Sequence, residues 1–186
     1  STTAVLTSPV GGYPITVSGA ATTTNYNVTY APGTLTVTAG NTLTVAATGY
    51  NGTYDAQDHN GVTSATASLE GAVITYSLSE NGTYSSAIPQ VRDVTAGTVI
   101  WVKATLANYT DAKTSVTAVV APAELTITAN NQTRAYNTPN PALTYSTAGL
   151  QGTDTLTSIG LTPSISTTAV LTSPVGGYPI TGSGAA

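Results

Sequence analysis

Short runs in which apolar and polar residues alternate recur along most of the chain. The runs are Asn25–Tyr30, Thr34–Thr38, Thr42–Ala46, Ala72–Leu78, Thr98–Leu106 and Ser115–Val120. Alternation with a period of two places every second side chain on the same face, which is typical of β-strands. No window shows apolar residues at helical spacing, so the pattern predicts an all-β protein.

Turn residues separate these runs. Gly11-Gly12 lies between two apolar stretches near the start and is predicted to form a turn. Asn81-Gly82 follows the run that ends at Leu78, and this dipeptide favours a two-residue hairpin. Thr98–Leu106 is the longest apolar run and is predicted to be a central strand.

Six or seven short strands between about residues 39 and 122 indicate a β-sandwich. The predicted core contains Leu43, Val45, Ile74, Tyr76, Ile100, Val102, Val116 and Leu125.

One stretch occurs twice. Residues 1–21 and residues 166–186 are identical except that Val17 is replaced by Gly182. One full period therefore runs from Ser1 to Ile165, and a second period starts at Ser166. A copy this close indicates a tandem array, and we expect the array to be elongated.

A second, weaker internal sequence similarity divides the period. Ala31–Asn41 resembles Ala121–Asn131, so the period splits into two pieces that begin with the same junction, at Pro32 and at Pro122. We therefore expect domains at 1–38, 39–122 and 123–186, with sandwich-like bodies meeting near 38–42 and 121–125.

Charge and composition exclude several partners. The net charge is −4, and the four basic residues, Arg92, Lys103, Lys113 and Arg134, do not cluster. Nucleic-acid binding needs grouped cations, so it is not expected. No apolar run approaches the roughly 18 to 20 residues of a membrane span. The absence of cysteine fits a bacterial surface protein that folds without disulfides.

Candidate chemistry is confined to one loop. Asp55, Asp58 and His59 could meet a metal ion, but a single His with two carboxylates and no second cluster favours a solvated loop. A hydrolytic triad would need a nucleophile, and nothing near His59 resembles a nucleophile elbow. We therefore predict no catalytic residue, no metal and no cofactor.

Two further side chains have alternative interpretations. Trp101, the only tryptophan, is either packed in a central strand or exposed as a platform for a ligand. Lys103 could form an amide bond with an Asn beside a carboxylate such as Glu70 or Asp55. The alternation turns Ile100, Val102 and Ala104 inward and Lys103 outward, which argues against that bond.

The end pieces resemble the MBG-type domain of large bacterial surface adhesins. The matching segments are Leu125–Tyr136, Pro139–Tyr145, Gly177–Ile180 and Asn25–Val37. The family more often has Tyr-Gly where this chain has Tyr136-Asn137, and a left-handed backbone there would tolerate Asn. This resemblance implies that 1–38 is the C-terminal part of such a domain and that 123–186 is one lacking its last strands.

The middle piece is similar to the bacterial immunoglobulin-like repeats that often alternate with MBG-type domains. The motifs lie at Tyr50–Asp55, Ile74–Ser77, Val102–Ala104 and Asn108–Asp111. Together the two resemblances imply an extracellular, cell-surface or secreted segment with tandem immunoglobulin-like β-sandwich domains, and no enzymatic activity.

The leading hypothesis is a structural repeat unit of an adhesin stalk or filament, joined head-to-tail with neighbouring copies. The alternative is a glycan- or protein-binding module that grips a host or surface ligand. Head-to-tail joining requires strands at the ends of the unit to pair with the next unit. The residues predicted for this pairing are Tyr26, Val28, Tyr30, Leu35, Val37, Leu125 and Ile127.

Overall fold

The structure is a computed structural model that describes residues 1–19, 21–22, 24–40 and 42–185. Its regular elements are all β-strands, so the all-β prediction is confirmed. Among the described residues, no helix is long and apolar enough to cross a membrane. Asn41, inside the predicted junction 38–42, lies outside the described residues.

Fourteen strands follow one another along the described part of the chain. They are β1 (Gly11–Ile15), β2 (Gly33–Val37), β3 (Val45–Gly49), β4 (Asn51–Thr53), β5 (His59–Asn60), β6 (Val62–Ala67), β7 (Val73–Ser77), β8 (Gln90–Val91), β9 (Thr95–Thr105), β10 (Ala112–Ala121), β11 (Thr126–Ala129), β12 (Tyr145–Ala148), β13 (Thr162–Thr167) and β14 (Ile180–Ala185). One sheet has four strands in the order β4-β10-β9-β7, and the other sheets assigned to these strands are two-stranded.

The chain divides into two compact units. The first contains Ser1–Gly49, Val62–Pro89 and Val99–Val116, and the second contains Tyr50–Gly61, Gln90–Thr98 and Thr117–Ala186.

In the first unit, antiparallel ladders hold the strands. β1 pairs with β2, β3 pairs with β6, and β7 pairs with the second half of β9. The core of this unit lies on one face of β9, where Ile100, Val102 and Ala104 are completely buried. Strict alternation along β9 leaves the intervening Trp101 and Lys103 half-buried. Burial of an Ile or Val side chain contributes about 1.5–3 kcal/mol, so this face anchors the unit.

The second unit contains the ladders β11-β12, β13-β14 and β5-β8, which are antiparallel. It also contains β4, which runs parallel to Val119–Ala121 of β10. Among its described residues, the buried apolar side chains are few and mostly small: Ala56, Val91, Ala118 and Val120. Backbone pairing therefore contributes more to this unit than a large apolar core does.

The predicted core is confirmed at three positions. Leu43, Ile100 and Val102 are buried. The other five predicted residues are only half-buried: Val45, Ile74, Tyr76, Val116 and Leu125.

Leu78, the last residue of the alternating run Ala72–Leu78, lies just outside β7 and is 65% exposed. The strand ends one residue earlier because the Ser79 N–H donates to Ser77 Oγ at 3.2 Å and bends the chain.

Two predictions for the N-terminal segment are also wrong. Gly11-Gly12, expected to form a turn, begins β1 because Val37 and Thr36 lie opposite as strand partners. The alternating segment 25–30 does not form a strand and is tied by a bridge between Thr22 and Asn27. A strand needs a partner along its length, and no ladder is assigned to this segment within the described residues.

Tyr136-Asn137 lies in a turn. Asn137 has φ +58°, which is the left-handed conformation expected where the family more often has Gly. Asn tolerates this conformation better than most residues, because its short polar side chain can hydrogen-bond locally.

Replacing Ile100 by Ala tests whether one face of β9 carries the core of the first unit. We expect the free energy of unfolding to fall by about 2–5 kcal/mol, since the cavity cannot be refilled. The neighbouring Val99 is 48% exposed, and its replacement by Ala should cost less than about 1 kcal/mol. Denaturant unfolding followed by the fluorescence of Trp101 measures both. Equal losses in the two variants would contradict this assignment of the core.

Replacing Asn137 tests the left-handed turn. Ala at this position should lower the free energy of unfolding by about 1–2 kcal/mol, whereas Gly should change it by less than about 1 kcal/mol. Differential scanning calorimetry of the two variants gives the comparison. If Ala were as stable as Gly, the left-handed backbone would not be a constraint.

Candidate functional site

The two copies of the repeated stretch form the same tight turn. In the first copy the Val5 N–H donates to Ser8 Oγ at 2.8 Å, and in the second the Val170 N–H donates to Ser173 Oγ at 2.8 Å. The Ser N–H returns a bond to the Val carbonyl in each copy. The turn is therefore fixed by the sequence of the stretch itself.

A tyrosine locks the segment that follows the turn. Tyr13 Oη donates to the Pro9 carbonyl at 2.8 Å, and Tyr178 Oη donates to the Pro174 carbonyl at 3.0 Å. The segment Gly-Gly-Tyr-Pro-Ile thus follows the same turn and contains the same tyrosine hydrogen bond in both copies.

In the first copy, this segment has neighbours on both sides. β1 pairs antiparallel with β2, with Gly11 opposite Val37, Tyr13 opposite Leu35 and Ile15 opposite Gly33. On its other side Ile15 bridges Thr2, and the Thr16 N–H donates to the Ser1 carbonyl at 2.8 Å.

In the second copy, the ladder assigned to β14 lies on one side, where β14 pairs with β13. Ile180 lies opposite Thr167, and Thr181 lies opposite Ser166, which repeats the register of Ile15 with Thr2 and of Thr16 with Ser1. Within the described residues, no strand is assigned to Gly176–Pro179 and no ladder covers it. The described residues thus have no ladder that corresponds to the pairing of β1 with β2 in the first copy.

An open groove borders this edge. A cavity of about 290 Å³ lies in the second unit and is lined by Tyr136, Leu143, Gly176, Gly177 and Tyr178, among others. The sequence pattern did not indicate this groove, because its lining comes from segments that are distant along the chain.

Arg134 and Asn140 position the turn beside the groove. The Arg134 guanidinium donates to the carbonyls of Val170 and Leu171, and Asn140 Nδ2 donates to the Ala169 carbonyl at 2.7 Å. In the sequence, Arg134 is one of four scattered basic residues, and no local signal connects it with these later carbonyls.

The residues predicted for pairing between units occupy different environments. Leu35 and Val37 lie on β2, and Ile127 lies on β11, which pairs with β12. Leu125 immediately precedes β11. Tyr26, Val28 and Tyr30 lie outside the strands, with Tyr26 74% exposed. Their pairing with a second unit stays a prediction.

The loop around His59 is more closely packed than the predicted solvated loop. His59 opens β5 and stacks on Tyr50, with ring centroids 4.5 Å apart and planes inclined by 16°. His59 Nε2 lies 3.0 Å from both carboxylate oxygens of Asp55, while Asp58 is exposed. No group of three or more His, Cys, Asp or Glu side chains that could hold a metal occurs among the described residues.

The contact with His59 and the Gln57 N–H lowers the pKa of the Asp55 carboxyl, with the His59 hydrogen bond as the larger cause. In the same unit, Tyr54 Oη donates to Asp154 at 3.0 Å, and this hydrogen bond raises the pKa of the Tyr54 hydroxyl. Both hydrogen bonds hold loop residues in place, and neither activates a nucleophile. We therefore interpret them as structural contacts.

Lys103 and Trp101 also have structural surroundings. Lys103 Nζ lies 3.7 Å from Asp111 Oδ2 and 4.8 Å from the centre of the Tyr84 ring. Its carboxylate neighbour is thus Asp111 and not the predicted Glu70 or Asp55. Neither side chain of the ion pair is fully buried, which an amide cross-link would require. Trp101 is half-buried on the same face of β9.

Replacing His59 by Phe tests the Asp55 interaction, because Phe keeps a ring to stack on Tyr50 but removes the hydrogen bond. The pKa of Asp55 should rise towards its ordinary value of 3.8. Since the folded pKa is the lower one, the interaction stabilises the fold above the unfolded pKa. This stabilisation is lost as the pH falls through the folded pKa.

A carboxyl NMR titration measures this shift, and Gln57→Ala, which keeps the backbone N–H, is the control that should leave the pKa in place. An unchanged pKa in the Phe variant would show that His59 does not act on Asp55.

A known family matches both ends of the chain. The family described as MBG domain (YGX type) matches residues 1–36 and 125–186, more than half of the chain. No curated protein and no solved structure gives a match. Tyr136-Asn137 lies within the matched residues, and Asn137 has the left-handed conformation expected where the family more often has Gly. The chain therefore belongs to the MBG domain family of the YGX type.

Proposed function

We propose that this chain is a structural repeat unit of an extracellular bacterial adhesin stalk or filament, joined head-to-tail with copies of itself. The repeat holds a tip or a neighbouring surface at a distance and carries out no catalysis. The observation that carries the proposal is the repeated stretch, which forms the same turn in both copies but pairs with different strands.

The family membership supports the coarser part of the proposal, a surface-associated repeat domain. The composition supports the finer part. Only 6% of the residues are charged and none is Cys, while strands and turns are formed largely by Thr, Ser, Ala, Val and Gly. Such a chain obtains its order from backbone pairing, which can continue from one unit to the next.

The alternative, a binding module for glycan or host protein, would need an exposed aromatic surface that recognises a ligand. Tyr136 is 61% exposed and borders the groove of the second unit, which is the feature that favours this alternative. A stalk and a binding module differ in what happens when units are added, because a stalk grows in length whereas a module gains binding sites.

Chains that carry one, two or three consecutive copies of the repeat period, Ser1–Ile165, test the stalk. We expect the maximum dimension from small-angle X-ray scattering to grow by a constant increment with each period, because each unit would be held in a fixed relation to the next. A chain of the same length with a flexible Gly-Ser linker between periods is the control, and it should give a broader distribution of distances. If the maximum dimension increased with the number of periods no faster than that of a collapsed chain, the result would count against the proposal.

A further inference from the structure

The dipeptide Asn-Gly occurs three times in the chain, at residues 51–52, 60–61 and 81–82. We propose that Asn81 is a modification site, at which the side-chain amide is lost spontaneously and an aspartyl or isoaspartyl link to Gly82 remains. The inference goes beyond the proposed function and does not depend on how units are joined. It rests on the different surroundings of the three dipeptides.

The Asn-Gly dipeptide carries all the groups that the reaction needs except water. The backbone nitrogen of Gly loses its proton to solvent base and attacks Cγ of Asn. The new N–Cγ bond closes a succinimide ring, and the Cγ–Nδ2 bond breaks, so that ammonia leaves after taking a proton from water. Water then opens the ring at either carbonyl and gives Asp or isoaspartate, with no change of oxidation state. Gly favours ring closure because it has no Cβ to hinder its nitrogen.

The first dipeptide lies within a strand. Asn51 and Gly52 belong to β4, where Val119 and Val120 of β10 lie opposite as parallel partners. Gly52 is half-buried, and a Cβ placed on it would collide with Tyr50 Oη, so the tyrosine covers this glycine. Ring closure requires the Asn side chain and the following peptide to rotate towards each other. Backbone pairing along β4 resists this rotation.

The second dipeptide is held on both sides. Asn60 lies opposite Gln90 of β8, and its Oδ1 accepts a hydrogen bond from Gln90 Nε2. Gly61 is buried, and its carbonyl accepts from the Tyr50 N–H at 3.0 Å. The Asn60 side chain is therefore fixed, and the Gly61 nitrogen is shielded from solvent base while the fold is intact.

The third dipeptide has neither form of protection. Asn81 and Gly82 are both exposed and lie in the turn that follows β7, and within the described residues no ladder is assigned to them. The Gly82 N–H donates to the Ser79 carbonyl at 3.2 Å, which is at the long end of the usual range. One long hydrogen bond therefore opposes deprotonation of this nitrogen.

The neighbouring residues keep this dipeptide at the surface. The Glu80 carbonyl accepts from Tyr84 Oη at 2.9 Å and from Lys113 Nζ at 3.1 Å. A Cβ placed on Gly82 would lie 2.9 Å from Ser77 Oγ, so the turn accommodates glycine and disfavours a larger residue. The fold thus retains the residue that allows ring closure and leaves its nitrogen accessible.

Conversion of Asn81 would alter one edge of the four-stranded sheet. β7 is the last strand in the order β4-β10-β9-β7, and on its outer edge Tyr76 and Ser85 exchange backbone hydrogen bonds of 2.8 and 3.0 Å. The turn with Asn81 connects these two residues. An isoaspartyl link inserts a methylene group into the backbone, so it lengthens the turn and weakens the bridge that covers this edge.

Peptide mapping by mass spectrometry tests the site. The full chain is kept folded at mildly basic pH, and the conversion of amide to acid is followed at all three dipeptides in the same sample. We expect Asn81 to convert roughly tenfold faster than Asn51 or Asn60, because reaction at those two requires opening of a ladder. Equal rates at the three dipeptides of the folded chain would overturn the inference, as would faster conversion at Asn51 or Asn60.

The same chain unfolded in guanidinium chloride is the control for the flanking residues. There the three dipeptides should convert at similar rates, since no ladder or buried glycine remains. If Asn81 were favoured equally in the unfolded chain, the selectivity would come from the local sequence and the inference would be wrong.

Asn81→Gln is the matched variant for the effect on β7, because the longer side chain closes a ring much more slowly. After equal incubation, amide hydrogen exchange at Tyr76 and Ser85 should be faster in the converted chain than in this variant. Unchanged exchange in a chain that has converted at Asn81 would refute the effect on the edge of β7.

Discussion

The backbone hydrogen bonds at the edge of the Gly-Gly-Tyr-Pro-Ile strand are the interaction on which the ends of this molecule depend. In a chain with few charges and few large buried side chains outside β9, an edge without a partner is not compensated by packing. β1 obtains its partner from Gly33–Val37, the next strand along the chain. At the second copy, the ladder assigned within the described residues joins β14 to β13.

The two copies show that local sequence fixes some features and leaves others open. The turn from Val to Ser and the hydrogen bond from Tyr to Pro are the same at Tyr13 and Tyr178, so they depend on residues that are close by in the chain. The strands of the two copies differ: Gly11–Ile15 forms a strand, whereas Gly176–Pro179 does not. A strand is defined by its partner, and a partner is not a property of the strand's own sequence.

This distinction explains how much could be predicted. Alternation located β9 and β10, and it identified Ile100 and Val102 as core residues. A long strand can be recognised from its own sequence, because its residues alternate between a buried face and a more exposed face. Alternation ran one residue beyond the end of β7, where the Ser79 N–H donates to Ser77 Oγ, and it failed at segment 25–30, where no ladder is assigned in the described part of the chain. The left-handed turn at Asn137 could be predicted because the conformation belongs to one residue.

The groove and its supports could not be predicted from the sequence for a related reason. Arg134 and Asn140 reach the carbonyls of Val170 and Ala169 across a long stretch of chain, and neither end of these hydrogen bonds has a periodic signature. The repeat made the comparison possible, because it supplied an internal control in which identical residues have different neighbours. A Cβ atom placed on Gly12 would lie 3.3 Å from Thr34 Cγ2, whereas one placed on the equivalent Gly177 would meet no atom within 4 Å. Whether this edge is covered therefore depends on which strand lies beside it. The strand partners of the repeated stretch therefore come from outside its own sequence.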